Sequence, residues 1–435
     1  MISDGQFRYD RIHPDGLTGA LLALEGVGDA AVILHGPTGC RGHHSAMSER
    51  AFPRDVIHER LNYAERFYFG QPRIPTTYLD GEDYIFGAKE KLQLAVQTIL
   101  GKKPGLLAIV NSPSAALIGE DLRQCLTDAA TNVPRVGIEM PALSQPLSDG
   151  YQQAVVAVLE ALDLPPAAIR PKTVNLLGLS IGHHHWAGSV WELRRLLALC
   201  GIEVLCAPGA GSPTVDWRSI PRAACNVVVH SEYADRIANW LERRFSVPAV
   251  LPESGVPIGF DATEQWVIQA AGAVGADPSP ALADIRERRR RVSYHMSRIA
   301  GIGTALKGTC FSVHTDASAA LPLVRFLYGY LGMLPVSVET STCRDTLQAE
   351  RLKDFLAGVG CLDAWQVPWQ TVEADFLFAD GHQVNQRHAF GCAQGGIELM
   401  LPIGGYADFV QKPLLGAEGA VHLVERIVNA APDFL

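Results

Sequence analysis

Short apolar runs rich in Val, Ile and Leu alternate along the chain with longer stretches whose apolar residues recur every third or fourth position. The runs predict strands at 30–34, 105–110, 173–179, 203–206, 226–230, 309–313, 335–338, 375–378 and 398–401. Several are continuously apolar instead of alternating, the pattern of parallel strands covered by helices on both faces. Between them, Leu193, Leu196 and Leu197 predict a helix over 191–199, and Ile237, Trp240 and Leu241 another over 233–245. Arg243 and Arg244 fall in the last turn of the second, where cations complement the helix dipole. A third, connecting helix is expected over 296–306, continuing from the basic run 286–291.

Strand and helix signals in this alternation predict parallel α/β layers. Two proline-rich breaks punctuate it: Leu164-Pro165-Pro166 followed by Arg170-Pro171, and Asp277-Pro278-Ser279-Pro280. The expected architecture is α/β, with three Rossmann-like doubly wound domains and parallel sheets, over residues 1–168, 169–280 and 281–435. No repeat of roughly 20–50 residues stands out, which argues against a solenoid.

Composition supports this picture and narrows the function. Of 435 residues, 48% are hydrophobic and 19% charged, enough for several cores and unlike a disordered chain. A net charge of −9 argues against a nucleic-acid backbone binder. The polar start, with Asp4, Arg8, Asp10 and Arg11, lacks the apolar core of a signal peptide. Glu25, Gly26, Gly28 and Asp29 break the apolar stretch 21–34 well short of the ~20 residues that span a bilayer. Nine cysteines without C-x-x-C spacing suit a reducing compartment better than a disulfide scaffold. The expectation is a soluble cytoplasmic protein with neither nucleic acid nor membrane as partner.

The sharpest chemical feature is His35-Gly36-Pro37-Thr38-Gly39-Cys40, which follows directly on the first strand. Open α/β sheets bind ligands beyond the carboxyl ends of their strands, and a thiolate offered there is a natural iron or zinc ligand. Cys200, Cys206 and Cys225 lie in apolar surroundings and read as packing; Cys125, Cys310, Cys343, Cys361 and Cys392 have no evident ligand partner. With no second cysteine near Cys40, a four-thiolate site needs distant residues or another subunit. His183-His184-His185-Trp186 reads as a polar loop after the strand at 173–179. His230 ends its strand either as a site residue or as a hydrogen-bonded histidine at a domain interface. The run Arg286–Arg291 lacks interleaved aromatics and reads as a solvated helix face or domain-linking ion pairs. A P-loop and a strand-anchored G-x-G-x-x-G are absent from the sequence, which disfavours nucleotide hydrolysis by this chain and dinucleotide enzymes.

These motifs join into a larger pattern. The chain resembles the component 1 proteins of nitrogenase and nitrogenase-like reductases, and their β-type subunit in particular. His35 to Cys40 matches the segment bearing the first cluster cysteine, and Asp83-Tyr84-Ile85-Phe86-Gly87 resembles the glycine turn that follows. Leu117-Ile118-Gly119-Glu120-Asp121-Leu122 resembles the segment after the third cluster cysteine. Pro257-Ile258-Gly259-Phe260-Asp261-Ala262-Thr263 and Leu415-Gly416-Ala417-Glu418-Gly419-Ala420 resemble later signatures. The matches keep the family's order from about residue 17 to 429.

The departures from the pattern matter as much. Arg73-Ile74-Pro75-Thr76-Thr77 and Asn111-Ser112-Pro113-Ser114 carry no cysteine where nitrogenase β chains place their second and third. The resemblance therefore implies Cys40 alone as metal ligand. It would serve a [4Fe–4S] cluster shared with an α-type partner, or a P-cluster-like [8Fe–7S] group held mostly by that partner. His230 falls near the α-type cofactor cysteine, and Leu415 stands where the α-type cofactor histidine would be. An active-site iron–sulfur cofactor is thus expected in the α-type partner of an α2β2 complex. An ATP-hydrolysing iron protein homodimer would supply the electrons. Compact length, the single cluster cysteine and a poor fit to tetrapyrrole-reductase β chains favour a methylthio-alkane reductase acting on small methylated thioethers. The alternatives are a scaffold for nitrogenase cofactor assembly and the β chain of a nitrogenase or tetrapyrrole reductase.

Overall fold

A computed structural model describes residues 14–37, 44, 47–48, 50–52, 74–127, 132–139, 145–298, 306–341, 346–390, 395–400 and 410–430. Three sheets follow one another along the chain, and every pairing between their strands is parallel. The first contains β1 (Ala30–His35), β2 (Leu106–Asn111) and β3 (Arg135–Ile138), in that order. In the second, β4 (Arg170–Leu177), β5 (Glu203–Cys206), β6 (Ala223–Val228) and β7 (Ala249–Val250) lie in the order β5-β4-β6-β7. The third holds β8 (Cys310–Thr315), β9 (Leu334–Thr340), β10 (Phe376–Asp380) and β11 (Gly395–Met400), ordered β11-β10-β8-β9. All six residues of β2 are buried, as its unbroken apolar run requires of a central strand.

Each predicted strand is present, with ends displaced by up to a few residues. β4 stops at Leu177 because Gly178 turns the chain with φ +85°. β3 and β7 went unpredicted. β3 carries an arginine and a glycine in four residues, and β7 is only two residues long. The helix predicted over 191–199 begins earlier, at Trp186. The basic run lies inside the helix Ser279–Arg298, and residues 299–305 of the expected connecting helix lie outside the described residues. No helix among the described residues is long and apolar enough to cross a membrane.

Two large cores tie the sheets together. The first joins the helices Gly16–Glu25 and Leu147–Ala161 to sheets one and two through Leu24, Val32, Val110, Val155 and Val228. These helices touch backbone to backbone: a Cβ on Gly19 would sit 1.9 Å from the Leu147 carbonyl oxygen, and one on Gly150 1.8 Å from that of Gly16. Neither position can accept a side chain without prising the helices apart. Asp15 fixes where the first helix begins, accepting the Thr18 amide at 3.0 Å. The other core runs between sheets two and three and includes Leu176, Val227, Val313, Phe378 and Leu423.

Ion pairs account for part of the basic run. Glu192, fully buried on the helix Trp186–Leu199, grips Arg195 at 2.7 and 2.9 Å and accepts the Glu418 amide at 3.1 Å. Arg195 reaches Asp284 at 2.8 Å; Arg288 pairs with Asp284 and, at 2.7 Å, with Glu418. The network thus joins three helices, the last being the C-terminal Gly416–Ala430. Arg289 pairs with Asp261 at 2.6 Å, while Arg290 and Glu287 form an exposed pair.

Candidate functional site

The described part of the Cys40 loop begins where β1 ends, at His35, Gly36 and Pro37; Cys40 itself lies outside the described residues. The carboxyl end of β1 is flanked by β2 on one side and by the segment from Ile74 to Thr77 on the other, with Thr76 bridging Leu34. Thr76 donates its hydroxyl to the Gly36 carbonyl at 2.5 Å, and the Gly36 amide donates to Thr77 Oγ1 at 3.1 Å. Both backbone groups of Gly36 are therefore held by side chains. A Cβ on Gly36 would lie 2.6 Å from Ser112 Oγ, so only glycine lets the loop leave the strand this close to β2.

His35 is fully buried beneath this turn. Its Nδ1 lies 2.9 Å from Thr77 Oγ1, and its Nε2 lies 3.1 Å from Glu120 Oε2, a close polar contact set off the hydrogen-bond axis. Because Thr77 Oγ1 already accepts from Gly36, its own hydrogen is free for Nδ1, which leaves the imidazole proton on Nε2 facing the carboxylate. Burial pulls the His35 pKa down, and Glu120 pulls it partly back. Glu120 also accepts the Ala88 amide, tying the loop base to the next helical segment. In the sequence His35 and Glu120 stand in separate motifs with nothing to pair them. The 84 residues between them leave no local spacing to read.

Beside this base, the helix Gly81–Phe86 packs against the single 3-10 turn Ala115–Ile118. A capping box sets the helix: Asp80 accepts the Glu82 and Asp83 amides at 3.0 and 3.2 Å, and Asp83 accepts the Asp80 amide at 2.8 Å. Lys91 bridges both carboxylates at 2.9 and 2.6 Å. The result holds Ile85, Phe86 and Leu117 out in solvent at 75, 84 and 86% exposure, with Tyr78 and Tyr84 exposed alongside.

The expected polar histidine loop is instead buried, because it lies between sheets two and three. His183 accepts the Ser180 amide at its Nδ1 (3.2 Å) and stacks on His230 with ring centroids 3.9 Å apart. Next to it, His184 contacts the Glu398 carbonyl at 2.7 Å and stacks on His185, which caps the helix from a left-handed conformation (φ 56°). Burial pushes the His183 pKa down to about 3 and that of His230 well below its ordinary value, so both rings stay neutral. The cavity they border with Leu414 and Leu415 measures about 20 Å³, room for a single water. No group of three or more His, Cys, Asp or Glu side chains among the described residues could hold a metal ion. Cys125, Cys200, Cys206 and Cys225 are buried free thiols; Cys343 and Cys392 lie outside the described residues.

A buried acid pair joins sheets two and three nearby, unforeseen from the sequence. Glu232, just after β6, accepts the Ser318 amide at 2.8 Å and the Ser318 hydroxyl, closing the N-terminus of the helix Ala317–Gly329. Asp316 accepts from Ser341 at 2.5 Å. Burial first, then the Asp316 charge, raises the Glu232 pKa to about 7. A carboxyl raised on folding stabilises the fold fully below its unfolded value and loses that contribution as pH climbs through its folded value. Taken alone, this group makes stability in thermal or urea denaturation fall between about pH 4.5 and 7, opposing the rise that the buried neutral His183 and His230 impose below about pH 6.5. Glu232→Gln should flatten this slope by on the order of 3 kcal/mol; parallel pH profiles for the two proteins would contradict the assignment.

Comparison with known proteins places this geometry. The sequence profile of the family described as nitrogenase component 1 type oxidoreductase matches residues 16–431. The B chain of the light-independent protochlorophyllide reductase of Rhodopseudomonas palustris (strain TIE-1) is 28% identical over 250 residues, 55% of this chain and 45% of that protein. Its counterpart in Synechococcus sp. (strain RCC307) is 28% identical over 276 residues, 60% and 50% of the two chains. The chain thus spans about half the length of these curated relatives. A solved structure titled nitrogenase Cp1 at pH 6.5 superposes with a TM-score of 0.75 over 97% of this chain and 93% of that one, at 18% identity. Three parallel α/β units are the architecture of that fold.

Proposed function

The chain belongs to the nitrogenase component 1 type oxidoreductases, and on that footing we propose that it is the β-type subunit of a two-component, ATP-dependent reductase. Cys40 is its ligand to an iron–sulfur cluster shared with an α-type partner. The observation that carries this reading is the base of the Cys40 loop. Gly36 is pinned through both backbone groups, over a buried His35–Glu120 contact, at the strand end where a ligand belongs. Thr76, Thr77 and Ser112 supply hydroxyls around that base, so the remaining thiolates would come from the partner chain. Bound there, the cluster supplies one-electron storage and transfer. This chain's part is to fix the Cys40 loop, keep its surroundings dry and present a docking face.

That face is the exposed group Ile85, Phe86 and Leu117 beside the loop base, and the electron donor is an iron protein that docks on it. Phe86→Asp together with Leu117→Asp should lower donor-dependent turnover by about 10- to 100-fold through weaker docking, since central apolar anchors carry most of an interface's energy. Turnover driven by a small chemical reductant should stay unchanged. Loss of both activities together would place the effect in folding instead of docking.

For the substrate, the relatives support the β chain of a tetrapyrrole reductase better than one acting on small methylated thioethers, the class expected first. A macrocycle cannot enter the 20 Å³ junction cavity; on this reading it binds between this chain and its partner. Anaerobic assay of the complex, its iron protein and MgATP against a tetrapyrrole and a methylated thioether tests the choice. Reduction of the tetrapyrrole supports the reading. Cleavage of the thioether alone would move the assignment to methylthio-alkane reduction, and iron-loaded complex with no turnover of either would fit a cofactor-assembly scaffold.

A further inference from the structure

On the side of the molecule formed by the helices Phe260–Ala273, Ala317–Gly329 and Thr346–Gly358 lies a groove of about 400 Å³, within the range of small-molecule sites. Arg325 and Arg351 both line it. Neither guanidinium forms an ion pair among the described residues. Arg325 lies over the Phe355 ring at 5.4 Å, and Arg351 donates to the Glu253 carbonyl at 2.9 Å. Partial burial, and then the neighbouring Arg351 charge, lower the Arg325 pKa. Two guanidiniums that feel each other in this way, with no carboxylate between them, repel unless an anion separates them.

The acidic residues of the groove do not fill that role. Asp261 is taken by Arg289 at 2.6 Å, and Glu253 contributes its backbone to Arg351 while its side chain stays exposed. Ile258, Phe260, Pro322 and Phe326 give the groove an apolar floor beside the two cations. The start of the helix Phe260–Ala273 forms one wall, and its cap Gly259 offers the first amides no side-chain acceptor.

From these two arginines and the groove they line, we infer that this site binds a small molecule through a phosphoryl group. Arg325 and Arg351 form the fork and the apolar floor receives the organic part. Guanidinium pairs match phosphate oxygens in geometry as well as charge. The site is independent of the Cys40 loop and of the electron-transfer reading.

Inorganic phosphate is the first probe, titrated by calorimetry and by thermal shift at constant ionic strength with chloride as control. The wild-type chain should bind phosphate and melt higher in it than in chloride. Arg325→Gln should weaken binding at least about tenfold and abolish the difference in melting temperature between phosphate and chloride. Arg325→Lys, which keeps charge without the fork, should fall between the two. An equal shift in chloride and phosphate, or undiminished phosphate binding by Arg325→Gln and Arg351→Gln, would overturn the assignment.

Discussion

Replacing Cys40 by Ala is expected to strip the shared cluster from the anaerobically purified complex: iron and acid-labile sulfide drop, and visible absorption bleaches. Altering a residue that merely orients a metal ligand costs about 10- to 100-fold in metal affinity, and removing a ligand outright should cost more. The fold should survive, because Thr76 and Thr77 already hold the turn leaving β1 through the backbone of Gly36. Circular dichroism checks that point. Cys40→Ser keeps the size of the side chain and replaces the thiolate with a poorer donor for iron, so it should retain part of the cluster. An unchanged absorption and EPR spectrum in Cys40→Ala would remove the cysteine from the site.

The second large effect concerns stability. Glu192→Ala should cost about 3–5 kcal/mol, because it leaves the Arg195 guanidinium partly buried without its bidentate partner. It also removes the carboxylate that receives the Glu418 amide at the start of the C-terminal helix. Urea denaturation measures this directly. Pairing the change with Arg195→Leu should recover part of the loss, since the stranded charge goes with it. A single-variant cost below about 1 kcal/mol would show that Asp284, 2.8 Å away, holds Arg195 adequately alone.

The three-sheet architecture was legible because parallel strands covered on both faces leave unbroken apolar runs, as in β1 and β2. β7 escaped because two residues carry no period, and β3 because Gly137 and Arg135 interrupt its run. Burial of Cys200, Cys206 and Cys225 followed from their apolar neighbours. The histidines after β4 were misread as a polar loop. Imidazole is equally at home at a surface or stacked in a closed junction, and only the packing of sheet two against sheet three decides. The pairings of Glu232, Asp316, Glu120 and Arg325 were invisible for a related reason. Each takes its meaning from a partner far away in sequence, at Ser318, Ser341, His35 and Arg351. Thr76 and Thr77 were noted only as missing cysteines, whereas the structure gives them a positive task in holding Gly36.

The central claim is that this chain helps carry electrons from an ATP-driven donor into a shared metal site, and rapid-freeze EPR tests it most directly. The complex is mixed with reduced iron protein, with and without MgATP, and frozen at intervals. The account predicts a paramagnetic signal from the complex that grows only when ATP is present and is absent from Cys40→Ala. ATP hydrolysis with no change in the complex's spectrum, or the same signal in the variant, would contradict it.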